Sequence, residues 1–244
     1  MTSLRDPAAI AVVFAAAVEA DAFDRLATGR VETRASGVVI HEGVVANVRV
    51  AWCIGGMGTQ AAAHATRLLV AGHRPRLLVS AGFAGGLDPA LARGAVVHPA
   101  TSVADGEPWP IALAAAAGTG TAPLTIITAP GIVATPTAKR ALADRSGAHL
   151  VDMETHAVAS VAAEEGLPCA SVRVISDTAD DELPREIATL AKPQSTMRRL
   201  GAALGAVGRR PRAALDLWRL YEHAVVDAKS LAQALAEVCS TGAH

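Results

Sequence analysis

The chain has 244 residues, 51% of them hydrophobic and 18% charged, with a formal net charge of −1. That is enough apolar material for one large α/β core, and it excludes disorder over most of the length. The near-neutral charge and an aromatic content of 3% exclude the basic field and stacking platforms of a nucleic-acid binder.

Taken in chain order, Ile10–Ala16 reads as a first buried strand and Glu19–Ala27 as a helix with Phe23 and Leu26 facing inward. Gly37–Ile40, Val44–Val50 and Ala51–Ile54 are strand-like pieces separated by turns. Gly55-Gly-Met-Gly58 is a glycine-rich break, after which Thr59 is the predicted N-cap of a helix over Gln60–Ala71 that stops at Gly72. Arg76–Ser80 is a buried strand running into a second glycine-rich stretch, Ala81-Gly-Phe-Ala-Gly-Gly86, predicted as a loop. Val96-Val97 continues the sheet.

Residues 105–123, rich in Gly, Ala and Pro, read as a loop. Leu124–Ala129 is a strand, Thr137–Ser146 a helix ended by Gly147, and His149–Val151 a short extended piece. Glu154–Glu165 is a helix closed by Gly166, and Pro168–Ile175 a near-continuous apolar strand. Strands alternating with helices of this length indicate a three-layer α/β/α sandwich with a mixed central sheet. After Pro184 the character changes. Residues 192–212 hold Lys192, Arg198, Arg199, Arg209, Arg210 and Arg212 and no acid, and Leu215–Val238 repeats apolar residues at helical spacing. Sixty residues are few for a separate core, so 185–244 is expected to pack as a helical extension on a single domain spanning 1–244.

Cys53, Cys169 and Cys239 are widely spaced and odd in number, so they read as small core residues of a reducing compartment. There is no C-x-x-C or H-E-x-x-H pattern, and neither a metal nor a cofactor is expected. The N-terminus reads without a secretory leader, and no apolar run is long enough to span a bilayer. The cytoplasm is therefore the expected location, with peripheral contact at the inner membrane face left open. A homo-oligomer, a dimer in the first instance, is expected.

The most informative stretch is Val151-Asp-Met-Glu-Thr-His156, followed by Arg173-Val-Ile-Ser-Asp177. Asp152 and Glu154 fall on the predicted opening turn of a helix, where carboxylates are common. Asp177 ends an apolar strand, where a carboxylate is costly unless it has a partner or a task. The pairing resembles a signature of the purine nucleoside phosphorylase and nucleosidase superfamily, and the resemblance covers roughly residues 9–190.

That resemblance implies cleavage of a purine N-glycosidic bond. Glu154 matches the ribose-binding Glu of the family's V-E-M-E motif, and Met153 packs on the sugar face. Asp177, in Ser176-Asp177, matches the acid that protonates the purine, with Ser176 orienting it. Asp180 and Asp181 are the nearby alternatives. Glu19 matches the acid that activates water in the nucleosidase branch, with Asp21 the alternative two positions on. Gly82 and Phe83 fall in the family's glycine-rich loop at a strand end, where Phe83 replaces a residue that is often Ser. Arg173 is the family's strand arginine, expected to support the Glu154 region or the purine loop through a buried ion pair. The phosphorylases' early G-D-P-x-R segment is missing, and Arg30 and Arg34 are its only candidate substitutes, so water is favoured over phosphate.

The segment from Lys139 through Pro184 is similar to hopanoid-associated phosphorylase-like proteins. Those proteins release adenine from adenosylhopane, which implies a small-molecule nucleoside substrate carrying a lipid. The alternatives are a 5′-methylthioadenosine/S-adenosylhomocysteine nucleosidase, a futalosine hydrolase and a phosphate-dependent phosphorylase. Loss of any two of Glu154, Asp177 and Glu19 would instead have favoured a binding protein on a decayed version of the fold, and all three are present.

Overall fold

The computed structural model describes residues 8–106, 110–115, 123–184 and 211–241, with side chains from residue 222 onward in the last of these. A mixed sheet of eleven strands forms the middle layer. Its spine is three parallel strands, with β1 (Ile10–Phe14) between β4 (Val48–Ile54) and β5 (Leu77–Gly86). β2 (Thr28–Ala35) and β3 (Val38–Val45) extend it antiparallel beyond β4. On its other side β5 carries β11 (Cys169–Asp177) in parallel, and its last residues pair antiparallel with β10 (Leu150–Asp152). β9 (Thr125–Thr128), β7 (Thr101–Ala104) and β8 (Ile111–Ala112) follow β10, and β6 (Val96–Val97) borders β11.

The period-2 alternation of β1 divides the core. Ile10, Val12 and Phe14 point to one face and pack with Phe23 of α1 (Ala17–Leu26) and with Leu231, Leu235 and Val238 of the last helix, α5 (Pro211–Thr241). Ala11 and Val13 point to the other face. There they meet Leu69 of α2 (Thr59–His73) and Val158 and Ala162 of α4 (Thr155–Glu164). A smaller cluster seats α3 (Pro136–Ser146) against β9 and β10 through Leu142, Ile127 and Val151. This is the three-layer architecture expected from the sequence.

Several local expectations are corrected. Ala81–Gly86 is strand, not loop, because β11 pairs with it through residue 85 and β10 through residue 86. Val44–Val50 is broken at Ala46 and Asn47, both at positive φ, which make the hairpin turn between β3 and β4. β2 was not foreseen. Most of its side chains are exposed, with only Thr33 and Ala35 half-buried, so its polar sequence carries no clear alternation. Leu26 is 45% exposed, whereas Phe23 is fully buried. Gly58, not Thr59, is the N-cap of α2, and the helix runs past Gly72 to a left-handed Arg74 whose N–H bonds Val70. Asp152 ends β10, and only Glu154 stands at the N-cap of α4.

Candidate active site

The C-terminal ends of β1, β5, β10 and β11 open on one cleft of about 470 Å³, the usual place for a ligand in an open α/β sheet. Glu19, Phe83, Met153, Glu154, Ser176 and Asp177 all line it. Gly82 and Arg173 do not; they lie behind its wall.

Glu19 is the third residue of α1, and it is there because the chain turns sharply after β1. Its Oε2 accepts the N–H groups of Ala15 at 3.0 Å and Ala16 at 2.9 Å, and its Oε1 accepts Phe83 N–H at 2.9 Å. Burial holds this carboxyl above the ordinary carboxylate range, against those donors and the Arg173 charge. A base with elevated affinity for a proton, at the edge of a cleft, is suited to deprotonate water. Asp21, the alternative acid, is exposed on α1 and outside the cleft lining.

Glu154 does not cap its own helix. The first amide of α4, Thr155 N–H, is taken at 2.8 Å by Asp152 Oδ2. Glu154 is thereby free to reach the glycine-rich turn before α2, where its Oε1 accepts Gly58 N–H at 2.7 Å. Burial pushes this carboxyl up, and the Asp152 charge adds to the effect. Met57, from the same turn, lines the cleft beside it.

Asp152 is fully committed inside the protein. Arg173 Nη2 donates to it at 2.7 Å and Thr128 Oγ1 at 2.7 Å, and the same guanidinium reaches Ser80 Oγ at 2.6 Å and Thr155 Oγ1 at 2.7 Å. Arg173 is 1% exposed, so its contribution is the buried Asp152 pair under the Glu154 region. A Cβ on Gly82 would come within 2.6 Å of both Arg173 Nη1 and Glu19 Oε1. The bare glycine is what lets these two groups pass over β5.

Asp177 ends β11 at a register shift. Ser176 Oγ donates to its Oδ1 at 2.7 Å, and the Lys139 ammonium stands 2.6 Å from its Oδ2. That second contact is an ion pair without hydrogen-bond geometry, so Oδ2 has no hydrogen-bond donor in the protein. Asp181 is a turn residue, holding Thr178 N–H and Oγ1 at 2.8 Å each, and Asp180 is exposed.

A family model described as Phosphorylase superfamily matches residues 9–109 and 111–209. The chain belongs to the phosphorylase superfamily. No curated protein matches its sequence. Among solved structures with its fold is the 5′-methylthioadenosine/S-adenosylhomocysteine nucleosidase of Neisseria meningitidis in complex with methylthio-immucillin-A. It has 19% identity and a TM-score of 0.71 over 95% of this chain and 98% of that one. Futalosine hydrolase of Helicobacter pylori gives 18%, 0.69, 94% and 96% in the same terms. The S. pneumoniae nucleosidase with a transition-state inhibitor gives 17%, 0.72, 95% and 98%.

Within this superfamily fold, some cleft residues had no sequence signal. Arg93 lines the cleft, donates from Nε to Ser176 O at 2.9 Å, and pairs with the buried Asp227 of α5 at 2.7 Å. His223 and Ala224 of α5 also line the cleft, a contribution that the distance along the chain hides. Arg30 and Arg34, the candidate phosphate ligands, sit on the edge strand β2 paired with Asp24 and Glu32, outside the cleft lining. His64 and His98 are outside it too. Cys53 and Cys169 are buried strand residues whose thiols burial pushes up to about 12, which suits inert packing groups. No group of residues suited to hold a metal occurs among the described residues.

Proposed function

We propose that this protein is a nucleosidase that hydrolyses the N-glycosidic bond of an adenine nucleoside, with adenosylhopane as its substrate. The observation that carries the reading is the convergence of three carboxyls, Glu19, Glu154 and Asp177, from three distant segments on one cleft. Their surroundings suit three different tasks. Glu154, fixed by Gly58 N–H on one oxygen, keeps acceptor capacity for the vicinal hydroxyls of a ribose, whose face rests on Met153. Asp177, protonated from solvent through the open cleft that it lines, gives its carboxyl proton to the purine as the C1′–N9 electron pair passes into the base. Water attacks C1′ and yields a proton to Glu19. Glu19 returns that proton to solvent when the products leave, which closes the balance.

Water is preferred to phosphate because no arginine in the lining is uncommitted. Arg93 is tied to Asp227 and to Ser176 O. The lipid-linked substrate is supported by the resemblance of residues 139–184. It is supported also by the apolar lining residues Met57, Phe83, Ile132, Val133, Leu183 and Pro184, which suit a greasy 5′ substituent. The cationic cluster of residues 192–212, suited to an anionic bilayer, lies outside the described residues. No helix among the described residues is long and apolar enough to cross a membrane. A 5′-methylthioadenosine/S-adenosylhomocysteine nucleosidase is the second reading, favoured by the fold shared with the N. meningitidis enzyme.

The test is a product assay on adenosine, 5′-methylthioadenosine and adenosylhopane, each with and without phosphate and anionic vesicles. The expected result is adenine and a free sugar hemiacetal, independent of phosphate and fastest for adenosylhopane. Sugar 1-phosphate appearing only with phosphate would replace hydrolysis by phosphorolysis. A preference for 5′-methylthioadenosine would select the second reading.

A further inference from the structure

Lys139 is the most deeply buried cation among the described residues, with Arg173 next. It is 0% exposed on α3, a helix whose neighbouring positions are largely solvated. A buried ammonium is costly unless its three N–H groups find acceptors. Lys139 finds them at the end of β11. Nζ donates to Thr178 O at 2.5 Å and to Asp181 O at 3.0 Å, and it faces Asp177 Oδ2 at 2.6 Å. Two of the three oxygens are carbonyls of the turn that follows the acid. Asp181, Leu183 and Pro184 of the same segment line the cleft, and Leu183 N–H is anchored to Ala134 O at 2.8 Å.

We propose that Lys139 is a positioning residue for the leaving-group step. This inference rests on the nucleosidase reading above. The ammonium spends its hydrogen bonds on the turn carbonyls and offers Asp177 only its charge. Oδ2 is buried and held against the ammonium, which fixes the orientation of the carboxyl at the edge of the cleft. Ser176 Oγ fixes the other oxygen. On the opposite side a Cβ at Gly85 would stand 3.1 Å from Oδ2, so the bare strand leaves it room. Lys139 thus acts through Asp177 and not on the substrate.

The test compares Lys139→Met, similar in length but uncharged, with the wild-type chain on two substrates. One is adenosine, whose base must be protonated to leave. The other is p-nitrophenyl β-D-riboside, whose phenolate leaves without a proton. The expected result is a loss of about 10²-fold in kcat on adenosine, typical of impaired acid catalysis, and of less than about fivefold on the riboside. Equal losses on both substrates would make Lys139 a purely structural group and overturn the inference. Wild-type protein that cleaves neither of these substrates, nor 5′-methylthioadenosine or adenosylhopane, would overturn the nucleosidase reading, and this inference with it.

Asp177→Asn and the double variant Lys139→Met/Asp177→Asn decide the matter independently of the riboside and of any folding defect, because the double variant leaves no unpaired buried charge. If Lys139 works through Asp177, adenosine turnover by the double variant matches Asp177→Asn within about threefold. A further tenfold drop in a folded double variant would refute the coupling.

Discussion

Glu154 and Glu19 are buried carboxyls whose surroundings favour the protonated form, yet the proposed chemistry needs both ionised. Such a group binds its proton more tightly in the folded than in the unfolded chain. Its contribution to stability is complete below the unfolded value and is lost as pH rises through the folded one. For Glu154 that window runs from the ordinary 4.5 to about 8. Glu154→Gln should therefore unfold at a higher temperature than the wild type near pH 8, with the difference shrinking towards pH 5, while nucleoside turnover is lost. Thermal unfolding followed across this range checks it; a wild-type advantage at pH 8 would mean that the ionised carboxylate is net stabilising. At this scale the sequence was informative where a motif fixed both residue and spacing, as for Glu154 and Asp177. It was silent on Lys139, since one lysine on a polar helix has the pattern of a solvated side chain. Only the fold reveals the acceptors gathered around it.

At the scale of elements, β5 does the assembling. A glycine-rich run reads as a loop because glycine is a poor strand former. Parallel pairing with β11 overrides that preference, and the missing side chains serve the neighbours. Gly82 leaves space for Glu19 and Arg173, and Gly85 for Asp177 and Val151. Gly82→Ala would place a methyl 2.6 Å from both Glu19 Oε1 and Arg173 Nη1. Displacing the Glu19 carboxylate by even about 1 Å is expected to cost on the order of 10²-fold in turnover. Substrate binding through Glu154 should change far less, so kcat is predicted to fall with KM within a few-fold. A fall in affinity alone would mean that the strain spreads to the ribose end and not to the nucleophile end. β2 was missed for the opposite reason. It has no fully buried side chain to impose alternation, so its strand character depends on pairing with β3 and not on composition.

The whole molecule closes on itself through α5. Its distal half buries Leu231, Leu235, Val238 and Cys239 against β1, β11 and α1, while His223, Ala224 and Asp227 nearer its start wall the cleft. The apolar spacing of this helix was legible in the sequence; its return to the site was not, because local periodicity carries no information on long-range docking. The two halves of α5 should be separable by mutation. Leu235 is 1% exposed and lies in the shared core, outside the cleft lining. Leu235→Ala removes buried methyl groups and leaves a cavity, a change expected to cost about 2–5 kcal/mol of folding stability. Turnover at a temperature where the variant is still fully folded should stay within about twofold of wild type, since additivity holds for sites without shared partners. Denaturant unfolding gives the first quantity and steady-state kinetics at low temperature the second. A large drop in turnover by folded Leu235→Ala would show that the anchoring half of α5 sets the position of His223 and Asp227, making the C-terminal helix part of the catalytic geometry and not only of the core.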